Sequence, residues 1–113
     1  MLSKKYRFHS RGGVRFVYRN GKTIRRSKVS LVFCDNERGF TRVGVVVSKK
    51  VIKSAVGRNR IRRRVYEVIR RNFELMPKKR DYVFVVFSKE VGRMPFTELE
   101  KVLGELVQES KIS

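Results

Sequence analysis

Residues 49–71 read KKVIKSAVGRNRIRRRVYEVIRR and carry ten basic side chains against a single acid, Glu67. Ile61, Val65, Val68, Ile69 and, just beyond, Phe73 keep to one helix face, starting with the i, i+4, i+7, i+8 spacing. The stretch is predicted to be a helix that buries one apolar stripe and keeps its guanidinium groups outside. At about 100° per residue, Arg60, Arg63, Arg70 and Arg71 point away from that stripe, and Arg58 and Arg62 lie nearer its edges. Ser54 stands where a helix cap is needed.

The rest of the chain divides around this helix by charge. Its 113 residues hold 29 Lys and Arg against 10 Asp and Glu, a net charge of +19. Residues 1–71 contain 22 bases and 3 acids, whereas residues 72–113 contain 7 of each. A field of this size and sign calls for a polyanionic partner. No stretch approaches the roughly 18 apolar residues of a membrane span, and the basic helix has no Trp or Leu-rich face to insert into lipid. Nucleic acid is the better match. The length suits one domain, residues 1–113, with 1–9 a flexible basic arm. MLSKKYRFHS lacks an apolar signal region, so a cytoplasmic protein is expected. Cys34 is the only cysteine and reads as a small buried hydrophobe.

Taken in order, Ser10 offers a cap, Val14, Val17 and Tyr18 share a face, and Asn20-Gly21 supplies a left-handed stop, which predicts a short first helix. Period-two patterns follow: a strand start at 23–26, then Val29, Leu31 and Phe33, and then, beyond the turn at 35–39, Val43, Val45 and Val47. The latter two are expected to pair as an antiparallel hairpin or meander. After the basic helix, residues 82–87 form an apolar strand covered on both faces. Thr97-Glu98-Leu99-Glu100 reads as a capping box ahead of a last amphipathic helix, whose outer face carries Glu98, Glu105 and Glu109. The expectation is an α+β sandwich, one sheet with helices packed on it, in the order αβββαβα.

Cleavage of nucleic acid by the chain alone would need clustered carboxylates for metal ions, or a paired acid and base. The basic part offers Asp35 and Glu37 in a turn and Glu67, four residues from both Arg63 and Arg71, where it steadies the helix surface. His9, the only histidine, lies in the arm. The inventory describes a binder. Helical arginines suit phosphates through bidentate forks, and Asn59 can hydrogen-bond a base edge or sugar. Val14 and Tyr18 of the first helix, opposite Ser30 and Val32 of a strand, can form a groove for an unstructured strand. Spacing alone fits ordinary core residues better.

Val47-Ser48-Lys49-Lys50, followed by Arg58-Asn59-Arg60-Ile61-Arg62-Arg63, resembles the signature of the protein subunit of bacterial ribonuclease P, with its RNR motif. Arg7-Phe8, Tyr18-Arg19-Asn20-Gly21 and Arg42-Val43-Gly44 extend the resemblance over nearly the whole chain. It implies an αβββαβα fold with a left-handed βαβ crossover, against a rule of right-handedness kept in about 98% of cases. It also implies an enzyme that removes the 5′ leader of precursor tRNA, with catalysis in a large RNA subunit and Mg²⁺ held mainly by that RNA. Carried over by position, Lys49, Lys50, Lys53, Arg58, Asn59, Arg60, Arg62 and Arg63 would contact the catalytic RNA. Arg7, Phe8, Val14, Tyr18, Ser30, Val32 and Arg42 would hold the leader. No catalytic residue, bound metal, membrane or obligate protein partner is implied for the protein itself. Gly13-Val14 departs from the Asp-Phe usual in the family, so the groove has one aromatic fewer. Composition alone fits a structural RNA-binding protein, such as a ribosomal component, equally well; a protein-only metal nuclease would need carboxylates that the basic part lacks.

Overall fold

The computed structural model describes residues 2–8 and 11–112, with the side chain of Arg11 left out. The expected cap at Ser10 and the lone His9 lie outside the described residues. Three α-helices, α1 (Arg11–Asn20), α2 (Ala55–Arg71) and α3 (Phe96–Lys111), flank four strands, β1 (Lys22–Ile24), β2 (Val29–Asp35), β3 (Arg42–Val47) and β4 (Arg80–Val86). The order is the αβββαβα order expected. Short 3₁₀ turns occupy Lys4–Tyr6, Phe73–Leu75 and Lys89–Gly92.

The strand order is β1-β2-β4-β3, and this overturns the expected hairpin between β2 and β3. β4 inserts between them, antiparallel to β2 with Leu31 opposite Phe84, and parallel to β3 with Val45 opposite Phe84. The reason is burial. Residues 82–86 are apolar on both faces, so the stable place for β4 is the middle of the sheet, where both neighbours and both layers cover it. β3 and β4 are then joined in parallel through α2.

Alternation along the strands sorts side chains into two layers. Val29, Leu31 and Phe33, Val43, Val45 and Val47, and Tyr82, Phe84 and Val86 point to one face, where they meet Ile61, Val65 and Val68 of α2 and Leu99, Leu103 and Leu106 of α3. The opposite face carries Val32 and Val83, covered by Val17 of α1, with Val14, Val46 and Val85 at the margin. Cys34 sits at this margin and is only partly buried, less than the sequence suggested.

Two helix ends differ from expectation. Gly21 lies outside the left-handed region; its necessity is steric, because a Cβ there would stand 2.6 Å from the carbonyl oxygens of both Phe33 and Val17. The chain turns from α1 into β1 against the strand it must pair with. α3 starts at Phe96 with Pro95 at the cap position and no side-chain capping bond. Thr97 thus lies inside the first turn, and the Glu100 carboxylate accepts instead from Asn72 Nδ2 at 3.2 Å, tying α3 to the end of α2.

Candidate nucleic-acid interface

α2 forms as predicted, with the Ser54 hydroxyl accepting from Gly57 N at 3.2 Å. Ile61, Val65, Val68 and Ile69 are buried; Phe73 lies beyond the helix, partly buried, its ring 4.8 Å from that of Tyr6. Tyr66, which the stripe omitted, is also buried in the core, with the Arg7 guanidinium carbon 5.9 Å from its ring centre.

The basic side chains divide into holders and presenters. Arg58 donates to the carbonyls of Ile52 (3.1 Å) and Lys53 (2.7 Å), fastening the loop with Lys49, Lys50 and Lys53 onto the helix. Arg64 donates to the carbonyls of Val91 (2.7 Å) and Met94 (2.5 Å), so this arginine is not an outward cation. Glu67 takes Arg70 at 2.9 and 2.6 Å and Arg71 at 3.3 Å. Arg70, at i+3, is a partner that the i+4 reading missed; its hydrogen bonds are the largest influence holding the Glu67 carboxyl down at about 2. Arg62 donates to the Asn59 side-chain carbonyl, leaving the amide NH₂ of Asn59 as a donor. Arg60, Arg63, Lys49, Lys50 and Lys53 are exposed, and none forms an ion pair among the described residues.

Residues 2–8, composed like a flexible arm, lie against the fold: Leu2 is buried, and Phe8 N donates to the Val43 carbonyl at 2.9 Å beside a parallel bridge between Arg7 and Val43. Bridge geometry sends consecutive side chains to opposite faces. Arg7 goes to the α2 layer, where it lines one open depression with Asn59, Arg62, Arg63 and Tyr66. Phe8 goes to the α1 layer. The sequence placed both with the leader site; the structure brings together only Phe8 and the α1 residues.

On the α1 layer Val17 is fully buried, Val14 is half-buried and Tyr18 is 45% exposed. The three residues that spacing put on one face thus split between core and surface. Val32 (7% exposed) lies beneath Val17, and Ser30 (3%) spends its hydroxyl on Arg26, accepting from its N at 3.2 Å. Both are buried on the α1 layer rather than open to a ligand. The accessible aromatics of this layer are Phe16 and Tyr18 on the helix and Phe8 at the sheet margin, with Phe16 lining a depression shared by Arg42 and Asp81. Arg42 is bound to Asp81 through Nε (3.1 Å) and NH2 (2.9 Å), with its guanidinium carbon 4.3 Å from the Phe8 ring centre.

No group of three or more His, Cys, Asp or Glu side chains gathers where it could hold a metal ion among the described residues. No helix among them is long and apolar enough to cross a membrane.

The family model for ribonuclease P matches residues 2–111. The chain belongs to the ribonuclease P protein family. The ribonuclease P protein component of Clostridium botulinum is 37% identical over 99 residues, covering 87% of each chain. That of Pelotomaculum thermopropionicum is 34% identical over 86% of this chain and 85% of its own. Among solved structures, the ribonuclease P protein of Thermotoga maritima superposes with a TM-score of 0.81 at 27% identity, over 91% of this chain and 96% of that one. The Staphylococcus aureus protein, at 22% identity, shares the fold with a TM-score of 0.81 over 94% and 95%. In this chain the parallel β3–α2–β4 unit seats the helix bearing Arg58, Asn59 and Arg60 on the sheet.

Proposed function

We propose that the protein acts as a single RNA-binding domain, the cytoplasmic protein subunit of ribonuclease P, which binds the catalytic RNA through α2 and the 5′ leader of precursor tRNA through the α1 groove. The observation that carries this is the array of Arg60 and Arg63 on α2 with Lys49, Lys50 and Lys53 on the loop leading into it, all exposed and without acidic partners among the described residues, while Arg58 and Arg64 hold the helix in place. Such an array exchanges counterions for phosphates. Arg7 is read with it, because Arg7 shares the depression of Asn59, Arg62 and Arg63.

The leader reading rests on Tyr18 and Phe8, two partly exposed aromatics on the α1 layer, of the kind on which unpaired bases stack without sequence preference. Val14 contributes an aliphatic edge only. Hydrolysis belongs to the RNA subunit with its Mg²⁺; this chain supplies binding and orientation. Precursor cleavage at low Mg²⁺ tests the reading. Protein added to the catalytic RNA is expected to stimulate cleavage, and protein alone is expected to cleave nothing. Robust cleavage without RNA would overturn it, and failure to stimulate would favour a structural RNA-binding role elsewhere.

A further inference from the structure

We infer that Asp81 is a positioning residue of the leader site, acting through Arg42 to set the Phe8 ring as a stacking surface, and that Arg42 itself makes no phosphate contact. The inference rests on the α1 groove being the leader site.

Asp81 is 2% exposed at the start of the central strand, on the face that carries α1. Both of its oxygens are taken by the Arg42 fork, and Oδ1 accepts a further bond from Asn36 Nδ2 at 2.7 Å. Asn36 is itself held: its Nδ2 also donates to the Phe40 carbonyl, its backbone N to that of Lys79, and its Oδ1 accepts from Arg38 N. The Arg42 side chain is 18% exposed, with its plane fixed by two parallel bonds. Phe8 rests against that guanidinium at 4.3 Å and over Gly44, where a Cβ would stand 2.9 Å from Phe8 Cδ2.

A buried ion pair is seldom retained for stability, since packed apolar residues do as well. Here it does what an apolar pair would not: it holds a cation over one face of an aromatic ring, a favourable contact for the ring quadrupole. The fork spends two of the five N–H donors of Arg42 and offsets its charge with that of Asp81, so its pull on a phosphate is weakened. The Phe8 end of the groove is thus locally neutral, and its grip on RNA is by stacking.

Asp81→Asn separates this from the alternative in which Arg42 is a phosphate ligand restrained by Asp81. In protein assembled with its catalytic RNA, the ratio of precursor to mature tRNA affinity is the readout, taken across a salt series. The expected result is a fall in that preference of roughly 3- to 10-fold, part of one base–aromatic contact, with the salt slope unchanged. In a Phe8→Ala background Asp81→Asn should add nothing. Gly44→Ala, which displaces the ring without touching a charge, should lower the preference likewise and decides the matter if Asp81→Asn does not fold. Higher precursor affinity or a steeper slope in Asp81→Asn, or a loss that persists in full without Phe8, overturns the inference. If Phe8→Ala lowers the preference while Asp81→Asn and Gly44→Ala are silent, only the positioning role falls. If Phe8→Ala and Tyr18→Ala are both silent, the leader reading falls with it.

Discussion

Arg7 and Phe8 are neighbours in the chain but serve opposite layers: the Arg7 guanidinium carbon lies 5.9 Å from the Tyr66 ring centre under α2, and Phe8 lies 4.3 Å from Arg42 under α1. One extended residue step separates the two proposed RNA surfaces. Arg7→Ala is expected to weaken binding of the catalytic RNA while leaving the preference for precursor over mature tRNA intact. Phe8→Ala should do the reverse, costing about 1 to 3 kcal/mol of leader binding. Filter binding with the two RNAs checks both, and equal effects from both variants would argue against the separation.

Arg60 and Arg63 are presenters. Replacing both by Ala should reduce the magnitude of the salt slope for catalytic RNA binding by about 0.9 for each duplex phosphate no longer neutralised, or about 0.7 for each single-strand phosphate. An unchanged slope would move the interface off this face of α2.

Arg64 is a holder. Arg64→Ala removes a charged fork from the carbonyls of Val91 and Met94, and the expected loss is about 2 kcal/mol of unfolding free energy. Denaturant unfolding measures it. The salt slope for RNA binding should stay at the parent value, in contrast to the Arg60 and Arg63 variants.

The Glu67 carboxyl titrates at about 2, below its ordinary 4.5, chiefly because Arg70 hydrogen-bonds to its ionised form. A depressed carboxylate contributes stability that is complete above 4.5 and lost as pH falls toward 2. The stability difference between the parent and Glu67→Gln should therefore be constant near neutrality and shrink between pH 4.5 and 2. A difference that is flat through that window would show that the ion pairs contribute nothing.

Gly21→Ala forces a methyl group within 2.6 Å of two backbone oxygens. Backbone cannot yield as a side-chain tip does, so a loss of roughly 1 to 3 kcal/mol is expected. Thermal unfolding would detect it, and an unaltered midpoint would mean that the α1–β1 corner opens without cost.

Helix α2 is legible in the sequence because its periodicity, cap and charge all point the same way, and β4 is legible as a buried strand from its unbroken apolar run. Strand order is not, because the pairing of Val45 with Phe84 spans a helix and leaves no local mark. Adjacent β2 and β3 alternate as a hairpin would; only the double-sided burial of β4 argues for its place between them. At the site, spacing identifies which residues are basic but not which are occupied. Arg58, Arg64 and Arg42 look like Arg60 and Arg63 in sequence, and only the carbonyls and the carboxylate brought to them by other segments make them holders. Ser30 escapes sequence reasoning for the same reason, its hydroxyl being claimed by the turn at Arg26.

The insertion of β4 between β2 and β3 has a consequence for synthesis. A ribosome releases the basic helix before the strand that completes the sheet beneath it, so the emerging chain carries the whole of its excess charge with no finished core to support it. The electrically balanced last 42 residues act as a delayed keystone. Completion of the sheet must wait for a non-local strand, and until it arrives the apolar stripe of α2 lacks the central strand that covers it.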